Sequence, residues 1–178
     1  MRGSWAVNEP IEGNPPRGAS PSLTRLPTQA IASLELVIEG MLQQHRLLEL
    51  LCDNLELVAD ELAGEPNRQT YLHIARALPA AIADAHRFEE RHVFPLWRRV
   101  SPDHEETLAR LGLEHVADES YADELAEALR DHVAGRGRLD AEALGYMLRG
   151  FFEGLRRHLA FERDHLIPIL RQEMRAAS

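Results

Sequence analysis

A single cysteine, Cys52, is all the thiol in this 178-residue chain. That excludes an internal disulfide framework and suits a reducing compartment. Aromatic residues make up only 6% of the chain, so its core must be aliphatic. With alanine, leucine, glutamate and arginine dominating, that core favours helices over strands. No uncharged apolar run approaches the ~18 residues of a membrane-spanning helix, and the opening residues lead into no apolar segment. The expectation is a cytoplasmic protein that does not enter a membrane. Positive charge is also short, with 20 Lys and Arg against 29 Asp and Glu and a formal net charge of −9. This balance argues against nucleic acid or an anionic lipid surface as partner. The basic residues alternate with acids along helix faces, as on an ordinary solvated surface.

Proline and glycine are gathered in a few places, and these places divide the chain. Pro10, Pro15, Pro16, Pro21 and Pro27, with glycines and serines between them, prevent any regular element over residues 1–27. A flexible or irregular arm is expected there, and no protein partner can be read from it. Residues 28–178 suffice for one domain. From Thr28, an N-cap candidate, apolar residues recur at Ile31, Leu34, Ile38, Met41, Leu48, Cys52, Leu55, Ala59 and Leu62, and the one polar position in that stripe is His45. Gly64-Glu65-Pro66 stops this helix. A second is expected from about Asn67 to Arg99, with Leu72, Ala75, Ile82, His86, Glu90, Val93 and Trp97 inward, a bend at Pro79 and a disturbed last turn at Pro95.

Ser101-Pro102-Asp103 opens a third helix, whose stripe is Leu108, Leu111, His115, Asp118 or Glu119, Ala122, Leu125 and Leu129. Gly135-Arg136-Gly137 ends it. Asp140 caps a fourth with Leu144, Met147, Phe151, Leu155, His158, Glu162, His165 and Ile169 inward. Four long helices on short turns predict an all-α, up-down-up-down antiparallel four-helix bundle.

Two stretches echo each other. His86 and Glu90 are four residues apart and followed by Val93-Phe94-Pro95; His158 and Glu162 have the same spacing and are followed by Leu166-Ile167-Pro168. Residues four apart share a helix face. In an antiparallel hairpin, two residues equidistant from the turn stand at the same height, because each helix rises about 1.5 Å per residue. The midpoint of His45 and His86 falls at Glu65-Pro66, that of His86 and His115 at Val100-Ser101, and that of His115 and His158 at Arg136-Gly137. Four histidines, one per helix, therefore meet in one layer of the core.

A lone histidine in an apolar stripe is usually a hydrogen-bonded core residue. Four of them level with two glutamates would cost several kcal/mol each if buried without partners, and a metal site removes that cost. Imidazole and carboxylate donors suit iron, manganese or zinc, and a layer without cysteine disfavours Fe–S clusters and structural zinc. Six or more donors exceed the need of one tetrahedral zinc, which points to two ions. Glu90 and Glu162, on diagonally opposed helices, are the natural bridges. A ferritin-like scheme built on Glu89-x-x-His92 and Glu162-x-x-His165 competes. It finds no glutamate at the matching level near Met41 and Leu111, and it leaves His45 and His115 idle.

The ordered set of His, His-x-x-x-Glu with an apolar pair and proline, His, and His-x-x-x-Glu resembles the hemerythrin-like, or HHE cation-binding, family over residues 30–175. The resemblance implies a non-heme di-iron site with His45, His86, Glu90, His115, His158 and Glu162 as ligands, Glu90 and Glu162 bridging, and an open position that reacts with O₂. Zinc and manganese are the alternative ions. The chain departs from the oxygen-carrying members at Glu119, which replaces a second histidine one turn after His115. Glu119 is a candidate seventh ligand, a hydrogen-bond partner of His115, or a neighbour just outside the site.

The expected function is binding or sensing of O₂, a related small oxidant or NO. The alternative is a di-iron enzyme, a ferroxidase or peroxide-reducing protein, or a role in iron homeostasis. Cys52 and the remaining histidines, His73, His104 and His132, are read as structural.

Overall fold

The computed structural model describes the backbone of residues 28–62, 64 and 67–177. The arm expected over residues 1–27 lies outside these. Six α-helices follow in order: α1 (Thr28–Glu61), α2 (Arg68–Phe88), α3 (Phe94–Val100), α4 (Glu105–Val133), α5 (Ala141–Phe161) and α6 (Ile167–Ala177). Helices α2 and α3 are joined by a π-helical turn, Glu89–Val93, and run on as one rod. Helices α5 and α6 do the same through Glu162–Leu166. The result is a four-helix bundle, with no strand among the described residues. Helix α1 packs mainly on α5 and α2, and α4 on α2 and α5, so α1 and α4 are diagonal.

The helix ends follow from local chemistry. Asn67 Oδ1 accepts from the backbone N–H groups of Gln69 and Thr70 at the start of α2, and Asp140 Oδ1 accepts from Ala143 N–H at 2.8 Å at the start of α5. After α4, Arg136 N–H bonds to Asp131 O and Gly135 N–H to His132 O. This closure needs a left-handed residue, and Gly135 supplies it with φ of +68°. A three-residue 3₁₀ turn, Pro102–His104, precedes α4, which begins on Glu105 and Glu106 at its electropositive end.

The two wide turns have a common cause. Proline has no N–H and its ring crowds the carbonyl four residues back. Pro95 would meet Arg91 O and Pro168 would meet Asp164 O. The chain instead takes up one extra residue, so that Phe94 N–H bonds to Glu89 O and Ile167 N–H to Glu162 O, five residues back. Pro79, where a bend was expected, lies inside an uninterrupted α2.

Val93 and Trp97 are buried as expected on the α2–α3 rod, whereas the extra residue shifts the inward register on the α5–α6 rod. Leu166 and Leu170 are buried, whereas His165, expected inward, is exposed and Ile169 is half-buried. Leu72 and Met147 are also only half-buried, with Tyr71, Ile74 and Leu148 in the core instead.

The interior holds two apolar clusters. One contains Leu48, Leu55, Tyr71, Leu78, Ile82, Leu125, Leu144 and Phe151. The other contains Leu34, Ile38, Met41, Trp97, Leu108, Leu111 and Leu170. Between them on the helices lie the buried polar residues His45, His86, Glu89, His115, His158 and Glu162.

Candidate metal centre

The four histidines are drawn into one layer, as the counting of residues from each turn predicts. The rings of His86 and His115 stack at 3.9 Å between centroids and 4° between planes. Those of His115 and His158 lie 5.2 Å apart, and those of His86 and His158 lie 5.8 Å apart. His45 enters from α1, its Nε2 3.1 Å from Glu162 Oε2 and 3.9 Å from Glu89 Oε1.

Of the two adjacent carboxylates on the second rod, the structure turns Glu89 into the layer and Glu90 out of it. Glu89 is 1% exposed, while the Glu90 side chain is 51% exposed. This corrects the inward placement expected for Glu90. The wide turn beginning at Glu89 keeps Val93 above Glu89, so the inner line runs Ile82, Ala85 or His86, Glu89 and Val93. Glu90 is thereby rotated toward α4, where its Oε1 accepts from His115 Nδ1 at 3.1 Å.

The sequence does carry a signal for Glu89. Aligned on their prolines, the two echoes read Glu89-x-x-His92-Val93-Phe94-Pro95 and Glu162-x-x-His165-Leu166-Ile167-Pro168. Each buried glutamate stands six residues before its proline and begins a wide turn. The ferritin-like scheme draws on the same letters, but its histidines, His92 and His165, are exposed.

Three imidazoles are held from outside by carboxylates. His86 Nδ1 meets Glu119 Oε1 at 3.2 Å, His115 Nδ1 meets Glu90 Oε1 at 3.1 Å, and His158 Nδ1 meets Asp118 Oδ2 at 3.1 Å. An ionised carboxylate can only accept, so each Nδ1 carries a proton, which leaves Nε2 as the inward nitrogen that can bind a metal when the ring is neutral. Glu119 therefore braces His86 across the α2–α4 interface rather than His115 on its own helix. Its side chain is 45% exposed. Asp118 falls in the expected α4 stripe, but its spacing alone does not reveal its hold on His158.

The inward atoms are left without aligned hydrogen bonds. Nε2 of His86 has no hydrogen-bond partner, and although His115 Nε2 lies 3.2 Å from Glu89 Oε2 and His158 Nε2 3.4 Å from Glu162 Oε1, neither buried pair forms an aligned hydrogen bond. Orphaned buried polar atoms are rare, because each costs about 1–3 kcal/mol. These five are directed at one volume. Donor atoms of His86, His115 and His158 lie within 4.8 Å of one another, and so do those of Glu89, His115, His158 and Glu162. The donor set fits a metal ion.

The protonation energetics of the metal-free layer are correspondingly strained. Burial, then the neighbouring His115 and His158, push the His86 imidazole down to about 3. Burial disfavours charge on His158 too, but its contacts with the Asp118 and Glu162 carboxylates prevail and raise it to about 10. Burial and the nearby Glu162 raise the Glu89 carboxyl. Glu162 resists the same burial through its contacts with the His158 and His45 imidazoles, which hold it below the ordinary carboxylate range.

The remaining polar residues stand apart. Cys52 is fully buried, and burial pushes its thiol up to about 12, in keeping with a core filler. Tyr121 donates to Met147 O, and Tyr146 is exposed. Glu49 is half-exposed, 3.5 Å from Arg163. His73 is exposed, and His104 lies against Ser101 Oγ at 2.8 Å.

Among the described residues, no helix is long and apolar enough to cross a membrane. Comparison with curated proteins and with solved structures finds no match. The family description "Hemerythrin HHE cation binding domain" matches residues 36–170, which include every residue of the polar layer. The chain belongs to the hemerythrin HHE cation-binding domain family.

Proposed function

We propose that the layer holds two non-heme iron ions and that the protein binds O₂, or a related small oxidant or NO, at that centre. The observation that carries this reading is the convergence of three Nε2 atoms and two buried carboxylates, with Nε2 of all three imidazoles and one oxygen of each carboxylate lacking an aligned hydrogen bond, from opposite sides of the bundle. His45, His86, His115, His158, Glu89 and Glu162 would hold the ions, with Glu89 and Glu162 as the shared carboxylates. Six donors are more than one ion of tetrahedral preference takes, and nitrogen mixed with carboxylate oxygen suits iron. When bound, iron supplies reversible redox chemistry toward small oxygen or nitrogen species.

The chain's own residues supply position and exclusion. Glu119, Glu90 and Asp118 keep the imidazoles in one tautomer and one orientation. The apolar clusters above and below keep bulk water out. A groove of about 360 Å³ between α4 and α5, lined by Arg110, Glu114, Asp118, Arg157, His158 and Phe161, runs beside His158. Of the six residues of the layer only His158 is on its wall, and an approach beside one imidazole suits a diatomic or similarly small ligand.

The test is metal analysis of the purified protein with its optical spectrum before and after reduction and O₂ exposure. Two irons per chain with an O₂-responsive spectrum are expected. A protein that gains no iron on anaerobic loading with Fe(II) ends the proposal.

A second reading, an enzyme that oxidises Fe(II) or reduces peroxide, draws on the three carboxylates set against the imidazoles. Each added negative charge favours the higher oxidation state of a bound ion. Turnover well above that of free iron would support it, and a stable reversible O₂ complex would count against it.

A further inference from the structure

Pro79 lies inside α2, and the helix runs on through it from Arg68 to Phe88. Proline has no N–H to give to Ala75 O, four residues back, and its ring crowds that same carbonyl. The chain meets this conflict in two different ways. At Pro95 and Pro168 the turn widens by one residue, whereas at Pro79 it stays α-helical. Ala75 O thereby loses its α-helical donor, in a residue that is fully buried. Arg130 of α4 supplies another: its Nη1 donates to Ala75 O at 3.1 Å.

An arginine in the last turn of a helix is ordinary, because it faces the negative end of the dipole, and Arg130 does lie in the last turn of α4. Its guanidinium nevertheless crosses to α2, and there to the one carbonyl that Pro79 deprives of a partner. Helix-end charge does not explain that choice.

We propose that Arg130 is a positioning residue for the polar layer: it stands in for the N–H that Pro79 lacks and so fixes the angle at which α2 passes the proline and presents His86. The consequence for metal rests on the reading of the layer as a metal centre. His86 follows Pro79 by seven residues, about 10 Å along the helix axis. Sharp helix kinks at proline reach about 20° or more. A change of about 20° over that length displaces His86 by roughly 3–4 Å relative to the first half of α2. The His86 ring stacks at 3.9 Å on His115, and its Nδ1 lies 3.2 Å from Glu119 Oε1. Neither contact tolerates such a shift.

A double-mutant cycle tests the bond, and two further readouts test its consequence. On the metal-free chain, Arg130→Met keeps an apolar stem and removes the donor. It should lower the folding equilibrium, measured by chemical denaturation, by roughly 10-fold or more. Pro79→Ala restores the missing N–H, and in that background Arg130→Met should cost less than about 2-fold. Equal losses in both backgrounds would mean that Arg130 acts through the helix end or its stem, and they overturn the proposal. Fe(II) added anaerobically should bind Arg130→Met roughly 10-fold more weakly and regain its affinity in Pro79→Ala/Arg130→Met. Amide hydrogen exchange on the metal-free chain needs no iron: residues 80–88 should gain more exchange than α5 in Arg130→Met, and the gain should vanish with Pro79→Ala. Equal gains in the two segments, or unchanged affinity in a chain that binds Fe(II), overturn the positioning role. A chain that binds no Fe(II) ends the function proposed above, and exchange over residues 80–88 then decides this role by itself.

Discussion

Glu89 and Glu162 face one imidazole from diagonally opposite rods: His45 Nε2 lies 3.9 Å from Glu89 Oε1 and 3.1 Å from Glu162 Oε2. Each of the two carboxylates begins a π-helical turn six residues before a proline. The site thus has an approximate internal symmetry, and it makes the roles of adjacent acids separable by experiment.

Glu89→Ala should lower the metal content by about one equivalent per chain or more, because a carboxylate directed into the layer is lost. Glu90→Ala should leave the stoichiometry intact and weaken affinity by ~10–100-fold, the usual effect of removing a residue that braces a ligand. Metal analysis after dialysis against a weak chelator separates the two. Equal losses from both variants would place Glu90 in the layer after all.

Asp118→Ala and Glu119→Ala should each weaken metal binding by ~10–100-fold by freeing His158 and His86 to rotate or to change tautomer. Asp118→Asn and Glu119→Gln keep an acceptor oxygen at Nδ1 and should recover much of the loss. Failure of the amide variants to recover any affinity would mean that the negative charge, not the orientation, is what these residues contribute.

Stability of the metal-free chain should depend on pH through two histidines with opposite signs. His86 is held below its ordinary value, so its contribution is present above about 6.5 and is lost as pH falls toward 3. His158 is held above, so its contribution is complete below about 6.5 and is lost as pH rises through 10. Thermal melts across this range should fall off on both sides, with His86→Gln flattening the acid limb and His158→Gln the alkaline one. Saturating metal, at about 100 times its dissociation constant, should add roughly 2.7 kcal/mol. An unchanged melting temperature on metal loading would contradict the proposed centre.

Gly40→Ala drives the new Cβ into the Phe88 ring. The added methyl gains up to about 1 kcal/mol of helix propensity, but overpacking costs about 1–3 kcal/mol. A net loss of about 1 kcal/mol is expected in chemical denaturation. Phe88→Leu in the same chain should relieve most of it, giving a clear coupling in a double-mutant cycle.

What the sequence by itself determined is the set of helices, most of each inward stripe up to the wide turns, and the height at which polar residues meet. These depend on local periodicity, caps and a constant rise per residue, and height in an antiparallel bundle is a matter of counting from each turn. His45, His86, His115, His158 and Glu162 are therefore legible from their spacing along the chain alone.

Only the tertiary structure decided rotation. Pro95 and Pro168 force an extra residue into their turns, which changes the residues per turn locally and selects Glu89 over Glu90, and Leu166 over His165. Glu119 follows His115 by one turn on the same helix, yet it bonds His86 on the neighbouring rod. Which imidazole a carboxylate reaches is set by how two helices are turned toward each other, a relation that the spacing within one helix does not contain.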